Sequence, residues 1–255
     1  MENWLENVSE PNSLYLAWQA PDHFKNRFRW AVALVRPSVN GWTLRYFSPE
    51  VDFERFNDGK KYDEILALGY AGYPAFNVKV REHTAGVQEA LNRRLPPRGR
   101  SDFAEYMKHF RLPASLKISN FALLGKTEAT LPSDGFSLVD PLDGNIECCD
   151  LLTEVAGFRY YAEAAGDVVR LGAAVEVRAE PENKYDARAV VFSINGITIG
   201  YVNRLQTEAF QRWLTTRHID AKVERINGKA GRPRLFLFIR VRNSISHPEA
   251  QRMAS

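Results

Sequence analysis

The sequence has few of the residues that build metal centres and disulfide frameworks. Its 255 residues include two cysteines and five histidines. The cysteines, Cys148 and Cys149, are neighbours in the chain, and neighbouring cysteines rarely form a disulfide with each other. Two thiols without nearby histidines do not make a zinc site either. We therefore expect reduced thiols, no metal and no cofactor; a vicinal redox pair is the alternative.

Long apolar runs are also absent. No stretch approaches the roughly 20 apolar residues that a transmembrane helix needs. The first ten residues, MENWLENVSE, are acidic and lack the basic and then apolar order of a secretory signal peptide. Hydrophobic residues make up 45% and charged residues 25% of the chain, as in ordinary globular proteins. These features predict a cytoplasmic protein with no membrane partner.

The motifs of the common catalytic classes are missing too. The sequence contains no HExxH, GxSxG or GxGxxG pattern and no kinase catalytic loop. The five histidines are scattered, and a lone histidine is more often a surface or packing residue than a catalyst. We therefore predict that the protein is not an enzyme, although folding could still bring together a pair of carboxylates that the sequence does not reveal.

Positive charge is concentrated in the second half. Residues 1–150 hold 18 Lys and Arg against 20 Asp and Glu, whereas residues 151–255 hold 16 against 11. Between positions 222 and 242, seven basic residues face a single acid, Glu224. Such a cluster indicates a polyanionic partner, and a solvated protein surface is its plainer explanation.

Alternating apolar segments predict an α+β protein with two domains. In residues 1–130, the runs SLYLAWQ, RWAVALVR and NGWTLRYF predict a small antiparallel sheet, and helical patterns follow them. Residues 131–150 are rich in Pro, Gly and Asp, which is typical of a linker or a wrapping arm. Residues 151–242 contain short strands, an Asn195-Gly196 hairpin turn and one helix, a pattern that predicts a small OB- or SH3-like β-barrel. Residues 243–255 are polar and predicted to form a flexible tail.

The second half resembles a known family. The string VAGFRYY…LGAAVEVRAEPENKYDARAVVF…GITIGYVNR, within about residues 153–242, is similar to HIRAN domains, which share its Gly-x-Arg-Tyr-Tyr, Asn-x-Tyr-Asp and Gly-aromatic-Val-x-Arg elements in this order. The resemblance implies a β-barrel that binds single-stranded DNA at its 3′-hydroxyl end. It also implies a role in DNA repair or processing.

The resemblance assigns a nucleic-acid site residue by residue. Its members are the arginine and tyrosine of the aromatic pair, the Asn-x-Tyr-Asp turn, and two residues that follow the hairpin: Arg159, Tyr160, Asn183, Tyr185, Asp186, Tyr201 and Arg204. Two positions depart from the family pattern, because Glu182 replaces an asparagine and Tyr201 a histidine. An acid beside the pocket repels phosphate, so the resemblance leaves room for weaker end binding or a different ligand.

Elementary chemistry agrees with these assignments. An aromatic ring offers every base a stacking surface worth roughly 1–3 kcal/mol. A carboxylate such as Asp186 accepts a hydrogen bond from a terminal hydroxyl and repels a terminal phosphate. The alternative is structural, since Asn183 and Asp186 also suit a turn and Tyr185 also suits a barrel core. On a strand, Tyr160 and Tyr161 would point to opposite faces, one buried and one exposed.

The first half resembles a second family more loosely. The fragments LYLAWQ, GWTLRYF, YPAF and NRRLPPRGRSDFAEYM, at about residues 13–112, are similar to the N-terminal subdomain of bacterial HipA-type kinases. That resemblance implies either a stabilising accessory module or a regulator that binds such a kinase. The main hypothesis is thus a nucleic-acid-binding protein. An antitoxin-like partner of a HipA-type kinase is the alternative.

Overall fold

A computed structural model describes residues 3–21, 23–24, 27–131, 133–229 and 231–244. The chain divides into two compact units. The first comprises Met1–Leu5, Ser9–Asp143 and Arg204–Gln206, and the second comprises Glu6–Val8, Gly144–Asn203 and Thr207–Ser255. Each unit has its own sheet, as the sequence pattern predicts. No helix among the described residues is both long and apolar enough to cross a membrane.

The first unit is an antiparallel sheet with helices. Its strands are β1 (Leu14–Trp18), β2 (Trp30–Ser38), β3 (Gly41–Tyr46), β4 (Glu82–His83) and β5 (Phe136–Val139), in the order β4-β3-β2-β1-β5. Its helices are α1 (Phe53–Phe56), α2 (Tyr62–Ala67), α3 (Val87–Asn92), α4 (Phe103–His109) and α5 (Asn120–Thr127). Strand β2 lies inside the sheet, and its residues 30–35 are all buried, so its run of apolar side chains supplies much of this core.

One boundary differs from the sequence prediction. Residues 131–150 were expected to form a linker or arm, but they contain β5, which pairs with β1 from Phe136 opposite Trp18 to Val139 opposite Tyr15. All four residues of β5 are buried. Pro, Gly and Asp residues flank this four-residue strand on both sides. The composition of the whole twenty-residue segment therefore does not reveal it. The expected tail at 243–255 lies almost entirely outside the described residues.

The second unit is a curled six-stranded sheet. Its elements are β6 (Cys149–Glu154), a 3-10 helix (Phe158–Tyr160), α6 (Ala162–Ala165), a second 3-10 helix (Gly166–Val168), β7 (Ala174–Ala179), β8 (Val190–Ile194), β9 (Ile197–Tyr201), α7 (Thr207–Thr216), β10 (Arg217–Lys229) and β11 (Arg232–Asn243). The strand order is β6-β11-β10-β7-β8-β9. The predicted hairpin is present, since β8 and β9 are joined at Asn195 and Gly196, both with positive φ.

This sheet is curled into a half-barrel, and a single backbone bridge links the segment after one edge strand, β6, to the other edge strand, β9. Ala156, two residues beyond β6, exchanges backbone hydrogen bonds of 2.8 and 2.9 Å with Tyr201 of β9. Apolar side chains of β11 and β10, including Leu237 and Val223, are buried together with Trp213 and Phe210 of α7. The fold class is therefore mixed α+β, as expected. The finer assignment to an OB- or SH3-type barrel stays a prediction.

Neither Cys148 nor Cys149 forms a disulfide in the structure; Cys148 is exposed and Cys149, in β6, is buried. Within the part of the chain that the structure describes, no group of three or more His, Cys, Asp or Glu side chains is arranged to hold a metal ion.

Candidate nucleic-acid site

The predicted aromatic pair lies on a 3-10 turn and not on a strand. Strand β6 ends at Glu154, and Gly157 has a φ of +76°, a left-handed conformation that suits glycine and turns the chain. The expectation that Tyr160 and Tyr161 lie on a strand is therefore wrong, and strand alternation does not decide where the rings point. The turn nevertheless separates them. Tyr160 is 68% exposed, and Tyr161 is half-buried.

Tyr160 carries a cation on its ring. The guanidinium carbon of Arg159 lies 4.5 Å from the ring centroid, and its Nη2 donates a hydrogen bond to the Tyr160 hydroxyl. A cation over an exposed ring is worth about 0.5–1 kcal/mol, enough to favour one orientation of both side chains. The pair presents an aromatic surface and a positive charge at the same point, which suits a base and its phosphate.

The Asn-x-Tyr-Asp turn is held together by Asn183. Its Oδ1 accepts hydrogen bonds from the backbone N–H groups of Tyr185 at 2.9 Å and Asp186 at 3.2 Å. Its Nδ2 donates to Glu180 Oε2 at 2.6 Å. An asparagine that accepts from backbone two and three residues later fixes a turn. Asn183 therefore has the structural role that the sequence offered as one alternative.

The turn projects Tyr185 into solvent. Tyr185 is 94% exposed, so the alternative in which it packs into the barrel core is excluded by the structure. Asp186 is half-buried; its Oδ1 accepts from the Arg188 backbone N–H at 2.8 Å and lies 3.7 Å from Arg188 Nε. The remaining carboxylate oxygen is the group that could accept a hydrogen bond from a ligand hydroxyl.

Tyr201 joins the aromatic turn to this loop. Burial first, and then hydrogen bonding with Tyr161 and Glu180, raise the pKa of Tyr201 above its ordinary value, so the hydroxyl stays protonated. The rings of Tyr161 and Tyr201 meet edge-on, with centroids 5.9 Å apart. A connected series of contacts therefore runs from Tyr161 through Tyr201 and Glu180 to Asn183. It brings the turn that bears Tyr160 and the loop that bears Tyr185 to one region of the unit.

Arg204 does not join this group. Its Nη2 donates to the Phe56 carbonyl at 2.7 Å, its Nε lies 3.2 Å from Asp58 Oδ2, and its guanidinium lies 4.3 Å from the Phe28 ring centroid. All three partners belong to the first unit, with which Arg204 itself is grouped. In the structure the guanidinium of Arg204 is thus engaged by a carboxylate, a carbonyl and a ring. Its membership of the nucleic-acid site, which the resemblance implies, stays a prediction.

Sequence reasoning missed Glu180 and Tyr161 as members of the site. The signal for Tyr161 was present, since it is the second tyrosine of the quoted motif. The signal for Glu180 was weaker: it lies three residues before Asn183, so a tight turn brings the two side chains together. The outcome is that Arg159, Tyr160, Asn183, Tyr185, Asp186 and Tyr201 belong to neighbouring elements of one unit, and Arg204 does not.

The family-model comparison matches this part of the chain. Residues 150–244 match the family model described as the HIRAN domain, where the sequence resemblance predicted it. No curated protein matches the chain, and nothing supports the HipA-like region at about residues 13–112, which stays a prediction.

Two solved structures also match a part of the chain. The crystal structure of the HIRAN domain of human HLTF is 23% identical, with a TM-score of 0.29, and the match covers 36% of this chain and 74% of that one. A crystal structure of a protein from Lactobacillus plantarum is 22% identical, also with a TM-score of 0.29, over 37% of this chain and 98% of that one. The family-model match supports a HIRAN domain at residues 150–244.

Proposed function

We propose that this protein is a non-catalytic binding module whose second unit holds single-stranded DNA and recognises its free 3′-hydroxyl end. HIRAN domains are DNA-binding domains, which is the general support for a nucleic-acid partner. The observation that carries the finer proposal is the exposed Tyr160 ring with the Arg159 guanidinium 4.5 Å from its centroid. The contacts of Tyr201 tie this pair to the loop that bears Tyr185 and Asp186.

Each group has a distinct task in this proposal. Tyr160 stacks on the terminal base and Tyr185 on a neighbouring base, because both rings are largely exposed. Arg159 holds a backbone phosphate by a charge-assisted hydrogen bond. Asp186 accepts a hydrogen bond from the 3′-hydroxyl, and its negative charge repels a phosphate in the same position. Asn183 and Tyr201 act indirectly, by fixing the loop and the turn.

The first prediction tests end recognition with fluorescence anisotropy on the whole chain. A 5′-fluorescein 10-mer with a 3′-hydroxyl should bind more tightly than the same oligonucleotide with a 3′-phosphate. Tyr160→Ala should weaken binding to the hydroxyl-ended strand about tenfold, because a stacked base is worth roughly 1–3 kcal/mol and about 1.4 kcal/mol corresponds to tenfold. An RNA strand of the same sequence, used as competitor, measures the preference for DNA.

Leu171→Ala is the matched control for this substitution. Leu171 is 70% exposed in the same unit but belongs to none of the site's elements, so its removal should leave affinity unchanged. Equal affinity for both ends, unaffected by Tyr160→Ala, would contradict end recognition.

A further inference from the structure

A second group of basic and aromatic side chains lies on β10 and β11 of the second unit. We call it the basic-aromatic face; it consists of Lys222, Arg225, Arg234, Phe236, Phe238 and Arg240. The guanidinium groups of Arg225 and Arg234 lie 4.5 and 5.1 Å from the ring centroid of Phe236. The Arg240 guanidinium and the Lys222 ammonium lie 5.0 and 6.0 Å from the ring centroid of Phe238, which they help to cover, since this ring is only 1% exposed.

The strand register creates this interleaving. Lys222 pairs with Phe238, and Arg225 pairs with Phe236, because a register shift at Glu224 brings Arg225 back to the same face. Without that shift, strand alternation would send Arg225 to the opposite side of the sheet. Two cation–ring pairs therefore lie side by side across two neighbouring strands.

The same register places this face on the side of the sheet that carries Tyr201. Lys222 pairs with Ala174 of β7, and Arg178, four residues along β7, pairs with Val191 of β8. Val191 in turn pairs with Tyr201 of β9. Residues that pair across strands, or that lie an even number apart on one strand, share a face. The basic-aromatic face and Tyr201 therefore lie on the same side of the sheet, although Val191 between them is only 2% exposed.

The charges on this surface are only partly balanced. Arg234 forms a bidentate ion pair with Glu154. Arg242, two residues after Arg240 on β11, forms an ion pair of 2.6 Å with the buried Asp150. Within the described parts of the chain, Lys222 and Arg240 form no ion pair with a carboxylate, and both are half-exposed. Asp220 lies opposite Arg240 in the register without closing an ion pair. Two positive charges anchored on an aromatic ring thus keep hydrogen-bond donors for a ligand.

We propose that the basic-aromatic face binds the phosphodiester backbone of a nucleic-acid strand through Lys222 and Arg240. The occupant is a strand and not an acidic protein, because the face lies on the same side of the sheet as Tyr201 and repeats the arginine-on-ring arrangement of Arg159 and Tyr160. A guanidinium fixed over a ring loses less rotamer freedom when it binds a phosphate. The inference extends the nucleic-acid part of the proposed function and does not depend on end recognition.

The second prediction tests this face with a strand whose end is blocked. A 5′-fluorescein 20-mer with a 3′-phosphate is titrated with the whole chain, so that binding through the 3′-hydroxyl is removed from the measurement. Lys222→Gln with Arg240→Gln should weaken binding about tenfold, the order expected when two phosphate contacts are lost. The charge-keeping pair Lys222→Arg with Arg240→Lys should retain most of the affinity.

A control with the same charge change separates a site from general attraction. Arg36→Gln with Lys117→Gln removes two exposed cations from the first unit and should leave binding unchanged. Equal weakening by both double variants would overturn the proposal, as would unchanged binding by the β10–β11 variant or displacement of the strand by polyglutamate at equal charge concentration. If the face variant weakens the blocked strand while 3′-hydroxyl and 3′-phosphate ends bind equally, the face stands and end recognition fails.

Discussion

At the residue scale, Gly200 shows how closely strand β9 approaches the segment between β6 and the aromatic turn. Gly200 has a φ of +135°, and a Cβ atom there would lie 2.5 Å from Val155 Cγ1 and 2.6 Å from the Ala156 carbonyl oxygen. The neighbouring Tyr201 makes the backbone contact with Ala156 that brings the sheet edges together. Glycine is therefore required where the β9 strand passes the start of the aromatic turn.

The third prediction follows from this contact. Gly200→Ala should destabilise the second unit by at least about 2 kcal/mol, because backbone strain and overpacking add. Gly196→Ala is the matched control: its φ is also positive, +77°, but nothing lies within 4 Å of the added Cβ, so only the left-handed penalty of about 1–2 kcal/mol applies. Urea unfolding followed by circular dichroism compares the two. Equal losses would mean that the close approach does not exist.

Arg204 shows which residue roles a sequence cannot reveal. Its motif position matched a family pattern, but its partner Asp58 lies 146 positions earlier in the chain. No local spacing reports such a pair. Asn183, in contrast, could be interpreted from the sequence, because its hydrogen bonds reach only two and three residues along the chain.

At the element scale, regular strands were predictable and the turn between two of them was not. The β8–β9 hairpin follows from Asn195-Gly196 and its alternating flanks. The segment VAGFRYY is equally apolar and aromatic, yet the chain leaves β6 at Glu154 and turns at Gly157. Apolar content does not distinguish a strand from a 3-10 turn over so few residues, so the site's main aromatic pair was placed on the wrong element.

Strand β6 also depends on one buried carboxylate. Asp150 is 1% exposed and accepts hydrogen bonds from the backbone N–H groups of Glu6 and Asn7, at 2.9 and 2.8 Å, and from Arg242 at 2.6 Å. Burial acts to raise its pKa, but the hydrogen bonds from Asn7, Arg242 and Glu6 outweigh it, and the pKa of Asp150 is lowered. The folded state therefore favours the charged form.

The fourth prediction concerns this carboxylate and acid. Because the folded pKa is below the unfolded value of about 3.9, the stabilisation is complete above that pH and is lost as pH falls through the folded pKa. Asp150→Asn should cost about 1.5–3 kcal/mol at pH 7, since it weakens the hydrogen bonds that the charged carboxylate accepts from Glu6, Asn7 and Arg242, and the loss should shrink in strong acid. Asp220→Asn, on the exposed part of β10, is the control and should change little. Thermal unfolding from pH 2 to pH 7 measures both; a pH-independent loss would contradict this account.

At the scale of the whole molecule, the sequence predicted two units and their charge imbalance but not the position of the boundary. The first unit continues through β5 to Asp143 and includes residues 204–206, whereas residues 6–8 belong to the second unit. Composition shows where the residue types along a chain change. Only strand pairing shows that the four residues of β5 belong to the sheet of the first unit. The basic cluster at 222–242 was visible in the sequence, but its division into paired and unpaired cations required the register.

The fifth prediction uses this charge distribution to distinguish a site from the attraction of a cationic protein. For single strands, the slope of log K against log salt is about −0.7 for each phosphate neutralised. Lys222→Gln with Arg240→Gln should make the slope shallower by roughly 1.4, because two phosphate contacts disappear. Arg36→Gln with Lys117→Gln removes the same net charge from the first unit and should leave the slope as it is. Anisotropy titrations from low to moderate salt measure both. If net charge alone governed binding, the two variants would shift the slope alike, since each lowers the formal charge of +3 by the same amount.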